Sequence, residues 1–178
     1  QFHFYDEIDS NAGKTASARL AIRLPFGVEL GFSGSYGPQD RTTNGSYALS
    51  NAMWFAGPDL LGHWGRVDIK AELLKGSSDG DASEGVYGLR LHKGGYLELD
   101  AMLTPSFGFL ARGEFRDAFV WLGTERAYLT KSWRATGGLR WVVTPRAVIK
   151  AEYLHNGEYG DVPSIPNDVF TSSVVMGF

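Results

Sequence analysis

Cysteine is absent from this sequence. That excludes a disulfide framework and thiol chemistry. No stretch reaches the roughly 18 apolar residues that a membrane-crossing helix needs. Strands that cross a membrane carry a much weaker signal, so a barrel stays open on this count. No Met or signal-like segment stands at the start; the chain begins at Gln1 in a polar-aromatic stretch. This reads as a mature chain, a trimmed one, or the C-terminal part of something longer. Basic residues are scattered and the formal net charge is -3, so no nucleic-acid footprint is expected.

Signs of catalysis are also lacking. The four histidines, His3, His63, His92 and His155, are dispersed, with no H-E-x-x-H pair and no close metal cluster. No G-x-S-x-G setting is present. Neither is a Gly-rich loop before a helix, nor any convincing helix. The acidic stretch at residues 77–84 offers Asp79, Asp81 and Glu84 as oxygen donors, but not a full calcium-loop pattern. It reads as a solvated flexible loop. The expectation is a non-enzyme with no cofactor and no metal site.

What the sequence has is alternation. Ala16, Ala18, Leu20, Ile22 and Leu24 make one face of a strand, and Ser17, Arg19, Ala21 and Arg23 the other. Pro25-Phe26-Gly27 turns the chain. Val28, Leu30, Phe32 and Tyr36 then oppose Glu29, Ser33 and Ser35. Residues 46–61 read as extended, with an irregularity expected near Pro58. A turn is expected at 62–65. Val67, Ile69, Ala71 and Leu73 oppose Asp68, Lys70 and Glu72. Residues 86–92 read as an excursion within a long loop. Further strands cover 95–103, 107–116, 130–143, 147–153 and 169–178, ending on Phe178. One 178-residue domain of about ten strands is expected, nine of them clear and a tenth at residues 1–5.

These strands run to roughly 9 to 14 residues, where ordinary ones have about 5 or 6 and a tilted membrane strand about 9 to 11. Short turns near 25–27, 62–65, 104–106 and 144–145 alternate with longer connections at 37–45, 76–94, 117–129 and 155–167. That is the pattern of short periplasmic turns and long external loops. The expected fold is an all-β antiparallel transmembrane β-barrel, complete or part of a larger one. Its apolar face would meet lipid. Its interior would be lined by Arg19, Arg23, Glu29, Asp68, Lys70, Glu72, Glu98, Asp100, Arg112, Glu114, Arg116, Arg134, Arg140, Arg146, Lys150 and Glu152. Trp133, Trp141, Tyr36 and Tyr153 would supply aromatic girdles.

The stretch TPRAVIKAEY at residues 144–153, followed by a loop and a last strand ending in Phe178, resembles the C-terminal end of bacterial outer-membrane porins of the phosphate-selective porin-like group. RVDIKAEL at 66–73 and LARGEF at 110–115 are similar to other strands of that group. The resemblance implies a location in the outer membrane of a Gram-negative bacterium and a porin passing small polar or anionic solutes. It also implies outer-membrane lipid and the barrel-assembly machinery, engaged through the last strand, as partners. Near-balanced inward charge argues against strong selectivity. The alternative is a small closed barrel that anchors an outer-membrane protein complex, as a homo-oligomer or with a protein partner.

Overall fold

The computed structural model describes residues 15–38, 52–78, 90–122, 125–160 and 162–177. Gln1 to Tyr5, the Asp79–Asp81–Glu84 acids and Phe178 fall outside these, and with them the tenth strand, the oxygen-donor loop and the terminal aromatic.

Nine strands form one antiparallel sheet in the order of the sequence: β1 (Ala16–Leu24), β2 (Val28–Pro38), β3 (Ala52–Trp64), β4 (Val67–Ser78), β5 (Arg90–Met102), β6 (Phe107–Leu122), β7 (Glu125–Thr144), β8 (Ala147–Glu158) and β9 (Val169–Met176). Turn chemistry explains the sharp reversals. Phe26 and Gly27 take φ of 76° and 73° between β1 and β2, and Gly65 takes 62° between β3 and β4. Two Thr-Pro turns use one device. Thr104 Oγ1 accepts from the Ser106 and Phe107 amides at 3.3 and 3.0 Å, and Thr144 Oγ1 accepts from the Arg146 amide at 3.2 Å.

Several boundaries differ from the expected ones; β4 runs on to Ser78 and β8 to Glu158, into residues expected to lie in connections. β3 continues to Trp64, so its turn is Gly65–Arg66. β5 begins at Arg90, taking in residues expected to lie in a loop. The connection expected at 117–129 is a tight hairpin in which Leu122 pairs with Glu125. A register shift between Ala118 and Phe119 breaks the alternation there and hides the strand. Near Pro58 the β3–β4 ladder passes from the pair Ala56–Lys75 to Asp59–Glu72, so the regular pairing is interrupted at that proline.

The expected closed transmembrane barrel is corrected by the topology. Closure requires the first and last strands to hydrogen-bond each other, leaving no free edge. Among the described residues β1 contacts only β2, and β9 contacts only β8. Among the described residues the sheet is open and encloses no lumen, so the expected channel is not formed by them. Alternation and strand length report a two-faced sheet of long strands. They carry no information on whether its ends meet. Among the described residues no helix is long and apolar enough to cross a membrane either.

Among the described residues the sheet has no core of its own. Among the described residues the only buried hydrophobic side chains are those of Ala101 and Ala118, and no large side chain is fully buried. A sheet with one apolar face ordinarily buries it against a second layer. Here that layer is not supplied by the described residues.

Candidate functional site

Residues paired directly across a ladder point to the same side of the sheet. The register therefore sorts every strand into a charged face and an apolar face. All the charged residues expected to face inward lie on the charged face, except Arg146, which sits in the turn before β8.

On that face the charges form ladders. Arg19 donates from Nε to Asp59 Oδ2 at 3.1 Å and from Nη2 to Glu29 at 2.9 Å, while Arg23 meets the other Glu29 oxygen at 2.9 Å. Asp59 was not legible as part of this group. Arg19 holds the Asp59 carboxyl below the usual carboxylate range, and Arg23 followed by Arg19 does the same for Glu29. Bonds to Asp59 and then Glu29 raise the Arg19 guanidinium in turn.

A second ladder crosses β4 to β8. Lys70 reaches Glu98 at 2.9 Å, and that bond raises the lysine. Arg112 lies 3.4 Å from Glu98 and 2.8 Å from Glu114, Arg134 lies 3.3 Å from Glu114, and Arg134 Nε donates to Asn156 at 2.7 Å. The Arg112 guanidinium also stacks 4.1 Å over the Tyr96 ring. Arg140 pairs with Asp100 at 3.2 Å, and His63 with Asp68 at 2.6 Å. A cavity of about 910 Å³ opens on this face, with Phe55, Glu72, Tyr96, Arg112, Glu114, Arg116, Arg134 and Asn156 among its walls. Lys150 and Glu152 stand outside it, opposite Ser173 and Thr171 of β9. Exposed pairs of this kind contribute about 0–1 kcal/mol each, so the ladders do not replace a core.

The opposite face is apolar and bare. It runs from Leu20, which is 78 % exposed, through Phe32, Leu73, Leu97, Phe115 and Leu139 to Phe170 and Met176. Trp54, Trp64, Trp133 and Trp141 stand on it. Its central floor is small: Gly113 and Gly137 have nothing near the place a Cβ would take.

Two polar features interrupt this face, and neither was legible in the sequence. One is at the start of β9. Asp168 accepts from the Tyr153 hydroxyl at 2.6 Å, contacts His155 Nδ1 at 2.8 Å, and accepts from the Asn156 amide at 2.9 Å. The Tyr153 bond, then the amide, then His155 lower the Asp168 carboxyl to about 2. The Trp133 ring stands edge-on to His155 at 5.2 Å. The other is a row of charge. Lys75 on β4 faces Lys93 on β5, Lys93 faces Asp117 on β6, and Asp117 faces Lys131 on β7.

Comparison with known proteins gives no matching family model and no matching curated protein. The resemblance to the phosphate-selective porin-like group is therefore corrected on two counts: no family model matches, and the sheet is open. The porin and ion-transport function fall with it. So do the outer-membrane location in a Gram-negative bacterium, the anchoring role in an outer-membrane complex, and the lipid, barrel-assembly and outer-membrane partners, including the homo-oligomer. Each of these followed from a closed barrel. The charged residues grouped as a lumen line one face of an open sheet.

Proposed function

We propose that this chain is a non-catalytic binding module whose working surface is the apolar face of its sheet. The supporting observation is the distribution of large hydrophobic side chains: among the described residues most of the exposed ones stand on one face, and none is fully buried. Exposed contiguous apolar patches beyond a few hundred Å² mark interaction surfaces. Burying one Val, Leu, Ile or Phe side chain contributes about 1.5–3 kcal/mol. Covering a handful of them is of the same order as the roughly 4–15 kcal/mol that association costs. The charged face supports the assignment by contrast, because many of its side chains pair with one another in ladders.

The test uses the tryptophans of the apolar face as reporters. The full chain, shown to be folded by circular dichroism, is titrated with dodecyl maltoside, a neutral amphiphile, while tryptophan emission is followed. The expected result is a saturable shift to shorter wavelength as the indoles leave water. A folded chain whose emission does not move would overturn the assignment of the apolar face as the working surface.

A further inference from the structure

The cavity on the charged face holds two charges that the ladders leave over. Around them the pairing is dense. Glu114 is shared by Arg112 and Arg134 at 2.8 and 3.3 Å, Arg134 also donates to Asn156, and Glu158 accepts the Ile165 amide at 3.0 Å. Glu72 and Arg116 line the same cavity. Neither has a hydrogen bond or an ion pair among the described residues, and they do not bridge to each other. Glu72 is half-buried and Arg116 is exposed.

The register sets their placement. Glu72 on β4 faces Tyr96 on β5, and Tyr96 faces Glu114 on β6. Arg116 stands two residues beyond Glu114, opposite Gly94 of β5 and Ser132 of β7. The two Cα atoms are thus two strand spacings of about 4.8 Å and two residues of about 3.4 Å apart, roughly 12 Å. The line between them crosses β5 between Tyr96 and Gly94, with Leu74 alongside, opposite Gly94. At Gly94 only β6 backbone lies near the place a Cβ would take, so the crossing is low. Arg112 stacks on the Tyr96 ring at 4.1 Å and fixes that side of it. Ser132 Oγ accepts from the Thr130 hydroxyl at 3.3 Å, which leaves its own proton to donate beside Arg116.

We infer that this cavity binds a linear ω-amino acid, a zwitterion whose ammonium and carboxylate are held apart by a methylene chain. The ammonium sits on Glu72. The carboxylate takes paired N–H bonds from Arg116 and the proton of Ser132. The methylenes cross Gly94 between Leu74 and Tyr96. A ligand with a single charge would cover the other end of the cavity and leave it unpaired away from water. The volume of about 910 Å³ lies in the range of small-ligand sites, about 300–1,000 Å³. This site is on the face opposite the apolar surface and does not depend on it.

The full chain, shown to be folded by circular dichroism, is titrated calorimetrically at low salt with 6-aminohexanoate, hexanoate, hexylamine and glycine. 6-Aminohexanoate is expected to bind about tenfold tighter than hexanoate or hexylamine, which each satisfy one end. Glycine, whose charges are too close together to span the site, is expected not to bind measurably. The preference should shrink as ionic strength rises. Glu72→Gln and Arg116→Gln break no hydrogen bond or ion pair among the described residues. Glu72→Gln is expected to bring 6-aminohexanoate down to the affinity of hexanoate, and Arg116→Gln to that of hexylamine. Hexanoate binding as tightly as 6-aminohexanoate would show a simple anion site and overturn the zwitterion. A preference that survives both substitutions would overturn the assignment to this cavity. A folded chain that binds none of these ligands would overturn the inference and leave the amphiphile test of the apolar face untouched.

Discussion

Arg19 on β1 and Asp59 on β3 join hands over β2, through the space that Gly31 leaves empty. Gly31 is paired with Ala21 on one side and Asp59 on the other. A Cβ placed there would meet Asp59 Oδ2 at 2.4 Å and Arg19 Nη2 at 2.6 Å. Both contacts are with ends of side chains, so an added methyl moves the bridge and spares the backbone. Gly31→Ala is therefore expected to weaken the Arg19–Asp59 bridge, and Asp59→Asn to have less effect in its presence. A double-mutant cycle by denaturant unfolding should show a coupling below about 1 kcal/mol, the range of exposed pairs. Strict additivity would mean that the bridge carries no energy.

Gly57 meets backbone instead. A Cβ at Gly57 would lie 1.7 Å from the Leu73 carbonyl oxygen, beside the interruption at Pro58. Gly57→Ala forces β3 and β4 apart and is expected to destabilise by about 1–3 kcal/mol, as overpacking does. Gly137→Ala, with open space around it, is expected to stabilise by up to about 1 kcal/mol, because it removes the entropy cost of glycine in a strand. Thermal unfolding of the two variants should move in opposite directions.

The Asp168 contacts predict a pH dependence confined to β9. The folded carboxyl titrates near 2 rather than at its ordinary 3.8, so the unfolded chain takes up the proton first. The stabilisation is present above about pH 4 and is lost as the pH falls through 2. Amide hydrogen exchange should show residues 169–176 opening in that window while β4 to β7 stay protected. Asp168→Ala should open the same residues at neutral pH. An unchanged β9 in that variant would mean that backbone pairing with β8 alone holds the strand.

Much of this sheet was legible because side chains alternate with a period of two, and that pattern is local. It placed Glu98, Arg112, Glu114 and Arg134 on one face, where they form a ladder. Three kinds of information were not local. Asp59 sits beside Pro58, in a stretch whose glycines blur the alternation. The row of charge draws its members from strand ends: Lys75 and Lys131 fell at the edges of expected strands and Lys93 in the connection expected at 76–94, so the register line they share did not show. Closure depends on whether β1 meets β9, which is set by twist and register summed over the whole sheet, and no single segment encodes it.

A charge placed in the middle of the apolar face separates a bare surface from a core. Leu97 is 59 % exposed, with Ala71 and Gly113 as its cross-strand neighbours. In an ordinary sandwich an inward Leu→Glu substitution would leave a buried charge unpaired and cost several kcal/mol. Here the carboxylate stays in water, so Leu97→Glu is expected to change unfolding free energy by less than about 1 kcal/mol. The same substitution sets a negative charge in the middle of the apolar face. It should weaken dodecyl maltoside binding, because the carboxylate must lose water when the amphiphile covers it. Unfolding and amphiphile titration on one preparation read both effects. A variant that fails to fold would show that Leu97 is covered in the folded protein by residues outside those described, and that the apolar face is a core.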